Sequence, residues 1–98
     1  MRTEQIEPTT CSDNFNLTSA YSVENGAEYF MMVYHPTGGN LWGMIDTNKS
    51  GFDIISRKSI ITNYFEVFHI KATSTSISMR SDGTGDWRYY TSLYKYPS

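Results

Sequence analysis

Cysteine is nearly absent from this chain: Cys11 is the only one in 98 residues, so no disulfide can form within it. A secreted domain of this size more often carries paired cysteines, which favours synthesis in the cytosol without export. A basic surplus is lacking too. Eight Lys and Arg stand against ten Asp and Glu, for a formal net charge of −2, and only Arg57 and Lys58 are adjacent. Such a chain has no positive field to neutralise phosphates, and nucleic acid is not an expected partner. No apolar run approaches the roughly 18 residues of a membrane helix, and residues 1–13 have no hydrophobic stretch of the kind a signal peptide needs. Membrane insertion is not expected. Histidine is scarce as well, with His35 and His69 alone. With Cys11 in a polar N-terminal stretch, neither a Cys-His nucleophile nor a zinc site can be assembled from the sequence. The reading is non-enzymatic and without a cofactor.

What the sequence has is a period of two. Apolar and polar residues alternate through Phe15-Asn16-Leu17-Thr18-Ser19-Ala20-Tyr21-Ser22-Val23 and through Ser76-Ile77-Ser78-Met79-Arg80-Ser81. A helix does not keep that period, whereas a half-buried strand does. Glu24-Asn25-Gly26, Pro36-Thr37-Gly38-Gly39-Asn40, Thr47-Asn48-Lys49-Ser50-Gly51 and Asp82-Gly83-Thr84-Gly85-Asp86 punctuate these runs. Their spacing is the roughly 8–12 residues of sandwiches and barrels. The expected fold is all-β, a small antiparallel, jelly-roll-like sandwich or barrel of about seven strands. Residues 14–98 form its single domain, and residues 1–13 a flexible tail or strap.

Strands are expected over 15–23, 28–35, 41–46, 52–56, 64–72, 73–81 and 86–96. Asn25-Gly26 should close a two-residue hairpin, because Asn-Gly accepts positive φ. Residues 57–63 read as a crossover or a further short strand. In 64–72, Phe65 and Val67 lie on one face and Phe68 and Ile70 on the other, so a bulge near Val67 or burial on both sides is expected. The expected core is Phe15, Leu17, Val23, Met31, Val33, Leu41, Ile45, Ile54, Val67, Ile77, Met79 and Leu93. Aromatics make up 15% of the chain, with eight Tyr. Phe30, Met32, Tyr34, Tyr90, Tyr94 and Tyr96 exceed what one interior holds and are expected to close against other subunits.

Asp46-Thr47-Asn48-Lys49-Ser50-Gly51 matches the first six positions of a calcium loop, with Asp46, Asn48 and Ser50 as oxygen donors. Arg57 stands where the bidentate Glu belongs, and no helix pattern flanks the motif, so a polar loop held by Asx turns is preferred. Asp82 and Asp86 read first as hairpin-loop residues rather than a carboxylate pair. Trp42 and Trp87 are each close to a polar loop. They are candidates to stack on a sugar, with Asn40, Asp82 and Asp86 accepting its hydroxyls, although packing at a strand start is the plainer role.

The order of these elements resembles the small β-sandwich domains that end phage tail fibres and other trimeric viral attachment proteins. The likeness runs from Ala20-Tyr21-Ser22-Val23-Glu24-Asn25-Gly26 through Leu41-Trp42-Gly43-Met44-Ile45 and Ser76-Ile77-Ser78-Met79 to Trp87-Arg88-Tyr89-Tyr90. It implies a homotrimer on a virion that recognises a host surface glycan or protein. A small cytoplasmic inhibitor or immunity-type protein, and a monomeric carbohydrate-binding module, are the competing readings.

Overall fold

A computed structural model of the chain describes residues 4–6, 10–11, 18–35, 49–80 and 90–97. They form strands β1 (Glu4–Ile6), β2 (Thr10–Cys11), β3 (Thr18–Ser22), β4 (Glu28–Tyr34), β5 (Lys49–Ser50), β6 (Phe52–Ile61), β7 (Phe65–Ala72), β8 (Ser76–Arg80) and β9 (Tyr90–Lys95). Seven of these have three or more residues, and β2 and β5 add two short pairings. The architecture is all-β, with two antiparallel sheets ordered β1-β9-β4-β7-β6 and β2-β3-β8-β5. The first thirteen residues, read as tail or strap, contribute an outer strand to each sheet: β1 lies on β9 and β2 on β3.

The core lies between the sheets. From the larger sheet come Tyr29, Met31 and Val33 of β4, Phe52 of β6, Phe68, Ile70 and Ala72 of β7, and Leu93 of β9. Tyr21 of β3 and Ile77 of β8 face them, and Ile6, Val23, Ala27 and Ile54 pack at the margins. Two core tyrosines keep their hydroxyls satisfied, as a buried phenol requires. Tyr21 Oη bonds Thr91 Oγ1 at 2.8 Å, tying one sheet to the other, and Tyr29 Oη accepts from the Glu24 amide at 2.9 Å.

Phe15, Leu17, Leu41 and Ile45 of the expected core lie outside the described residues, as does the side chain of Met79. Among the described residues the expected core is corrected at Val67, which sits half-buried on the opposite face of β7. That strand alternates regularly against β4, from Tyr34↔Phe65 to Glu28↔Lys71. The irregularities fall in its other neighbour, β6, between Ile54 and Ser56 and between Ser59 and Ile61. Bulges at Ile55 and Ile60 let β6 run on through residues 57–61 as one ten-residue strand. It turns into β7 at Asn63, whose φ of 67° suits the third position of the Ile61–Tyr64 turn.

The Asn25-Gly26 turn forms, with the Ala27 amide on the Glu24 carbonyl at 3.1 Å and φ +88° at Gly26. It does not close a hairpin. β3 pairs with β8 and β4 with β7 and β9, so the turn carries the chain from one sheet to the other. Gly51 marks a second such corner, between β5 and β6, at φ +87°. A Cβ there would overlap the Ser76 carbonyl oxygen, so both space and φ demand glycine. The two corners and the β7–β8 bend share one end of the sandwich. They are stitched by Gly26 N to Ala72 O, Thr73 N to Gly51 O and Val23 N to Thr75 O, at 2.8–2.9 Å.

Candidate interaction face

The residues that alternate away from the core assemble on the outer face of the larger sheet. The register places Tyr94, Phe30 and His69 in one row, Ser92, Met32 and Val67 in the next, and Tyr90, Tyr34 and Phe65 in a third. Of the six residues expected at an oligomer contact, Phe30, Met32, Tyr34 and Tyr94 share this face, Tyr96 lies at its end, and Tyr90 is placed by its backbone register alone. Phe30 stacks on Tyr94 at 5.0 Å between centroids and 14° between planes. It meets Tyr96 in a T-shaped contact at 5.3 Å and 81°. Tyr34 tilts against Phe65 at 6.3 Å. Such pairs fix ring orientation beyond what area burial alone supplies. A depression of about 240 Å³ lies among Met32, Tyr34, Phe65, Ser92 and Tyr94.

Sequence reasoning did not single out the polar rim of this face. His69 Nε2 lies 2.6 Å from Glu28 Oε1, and its ring packs on Tyr96 at 4.4 Å. At the end of the sheet, in phase with the buried Leu93 rather than on the outer face, Lys95 donates from Nζ to Glu24 Oε2 at 2.8 Å, and this bond lowers the Glu24 pKa. The available signal was parity: Glu28 shares the phase of Phe30 and Met32, and His69 that of Phe65 and Val67.

A second polar group lies on the core side of the same sheet. Glu66 is 2% exposed, accepts from Ser59 Oγ at 2.9 Å and meets Arg57 Nε at 3.2 Å. A buried carboxylate needs such partners, and the bulged course of β6 supplies both. His35, at the end of β4, is 1% exposed, and burial pushes its pKa down from 6.5. Its amide donates to the Tyr64 carbonyl at 2.7 Å.

Asn40, Trp42, Asp82, Asp86 and Trp87, the candidate sugar contacts, lie outside the described residues, as do Asp46 and Asn48 of the calcium-like loop. Ser50 of that loop is exposed in β5, paired with Ser78. No group of three or more His, Cys, Asp or Glu suited to a metal occurs among the described residues. Among them, too, no helix is long and apolar enough to cross a membrane. The chain matches no family model, no curated protein and no solved structure.

Proposed function

We propose that this chain is a non-enzymatic binding domain that assembles with copies of itself through the outer face of its five-stranded sheet. In this reading it serves as the receptor-binding tip of a trimeric viral attachment protein and recognises a host surface glycan or protein. The observation that supports it is the continuous Tyr94, Phe30, Met32, Val67 and Phe65 surface, apolar and aromatic on a sheet whose other face already fills the interior. These five residues are half-buried and Tyr34 beside them is 43% exposed, and a contiguous apolar surface of this kind supports an interaction site. The charges on this face are mixed, with Glu28 hydrogen-bonded to His69 and opposite Lys71 in the register, which favours a second copy over a strongly charged partner.

Light scattering on the purified protein tests the reading. The expected result is a mass near three times the 11.2 kDa of one chain, unchanged on dilution. A concentration-independent mass of 11.2 kDa overturns self-assembly and moves preference to the inhibitor or monomeric module.

A further inference from the structure

We propose that the cleft between the β3–β4 turn and the end of β9 binds a neutral hexopyranose. The inference rests on the binding-domain reading but not on assembly. The cleft holds about 440 Å³, within the range of small-ligand sites, and is lined by Glu24, Asn25, Glu28, Lys95, Tyr96 and Pro97 among others. It is distinct from the Trp42 and Trp87 loops considered from the sequence.

A pyranose presents a flat patch of C–H groups and a rim of hydroxyls. It is recognised by an exposed aromatic ring set beside fixed donors and acceptors. Tyr96 supplies the ring and remains 38% exposed. It is braced by His69 at 4.4 Å and by a T-shaped contact with Phe30 at 5.3 Å, and His69 is itself held by Glu28 at 2.6 Å. A ring ordered beforehand loses little freedom when a ligand arrives. The rim comes from the Glu24 and Lys95 head groups, held together at 2.8 Å, and from the Asn25 side chain on the turn. Hydroxyl bonds to charged groups of this type are the strong ones. Two carboxylates, Glu24 and Glu28, line the cleft against the single ammonium of Lys95, so sialic and uronic acids are disfavoured and neutral sugars admitted.

The test is a titration of the ¹⁵N-labelled full chain with the methyl glycosides of galactose, mannose and N-acetylglucosamine, and separately with that of N-acetylneuraminic acid. At least one neutral glycoside should shift the amides of residues 24–28 and 95–96 with a Kd of about 1 mM or below, and the sialoside should bind about tenfold more weakly. Tyr96→Ala should cost about tenfold in affinity and Tyr96→Phe almost nothing. Glu24→Ala, at a side chain 68% exposed and bonded to Lys95, should also weaken binding about tenfold while leaving the melting curve within about 1 kcal/mol of wild type. Absence of shifts at those amides with all three neutral sugars, equal binding of the sialoside, or unchanged affinity in Glu24→Ala overturns the proposal. An assembled protein that binds none of the sugars sinks the cleft alone, and a monomer that binds one sinks the assembly alone.

Discussion

Met31 and Met32 are adjacent in β4 and chemically identical, yet Met31 is fully buried against the smaller sheet while Met32 lies half-covered in the outer rows. The same division runs through β7, where Phe68 and Ile70 are sealed in and Phe65 and Val67 face outward. Hydrophobicity does not separate the members of these pairs; strand parity does. The inner face is completed by the chain itself, with Tyr21 and Ile77 as its lid. The outer face stays half-covered among the described residues, and the proposed self-assembly would complete it.

Met31→Glu against Met32→Glu is the sharpest way to break the comparison. An unpaired charge at position 31 should cost about 4–5 kcal/mol or more and abolish the cooperative thermal transition. At position 32 the same change should leave the melting curve of the monomer within about 1 kcal/mol of wild type and lower the mass seen in light scattering. Unfolding of both variants would show the two faces to be equally structural. Next in size, Phe68→Ala should cost about 3–5 kcal/mol in denaturant titration, and the outward Val67→Ala less than about 1.5 kcal/mol.

Arg57→Ala sharpens the contrast from the polar side, since it leaves Glu66 buried with Ser59 as its remaining described side-chain partner. A loss of about 1–3 kcal/mol is expected. A loss indistinguishable from zero, with Glu66→Gln equally silent, would mean that water already reaches the carboxylate. The smallest effect is a slope with pH. Burial depresses the pKa of His35 below 6.5 in the folded chain, so the unfolded chain binds the extra proton first. The contribution of neutral His35 is therefore full above pH 6.5 and is lost as the pH falls below it. Melting temperatures measured across that window should decline toward acid, and less steeply in His35→Gln.

The alternation at residues 76–81, the doubly apolar run at 28–35 and the apolar residues of 64–72 were enough to find β8, β4 and β7, and Met31, Val33, Ile77 and Leu93 lie inside as expected. Strand parity also set Phe30, Met32, Tyr34, Tyr94 and Tyr96 on the outer side, because a period of two assigns faces as well as strands. Strand order was not legible. Asn25-Gly26 specifies a backbone conformation, and that conformation serves a corner between sheets as well as a hairpin. The length of β6 was hidden by its bulges, which shift the phase at Ile55 and Ile60. Glu66 was unreadable for another reason: a carboxylate reads as outward until its partners on the neighbouring strand are known. The cleft formed by Glu24, Glu28, Lys95 and Tyr96 joins segments some seventy residues apart, and no local pattern announces it.

The position of β9 has a kinetic consequence. It is the last of the described strands, yet it lies between β1, the first of them, and β4 in the sheet order. Glu4–Ile6 thus has no partner in its sheet until Tyr90–Lys95 has been synthesised and docked. During synthesis β4 can zip onto β7, but its other edge stays open until the final strand arrives. Loop closure over nearly the whole chain comes before the sheet is continuous, so folding should be slow for a domain of this size. Until then the nascent chain carries an unpaired, aromatic edge at Phe30 and Tyr34, a template on which a neighbouring nascent chain can add a strand.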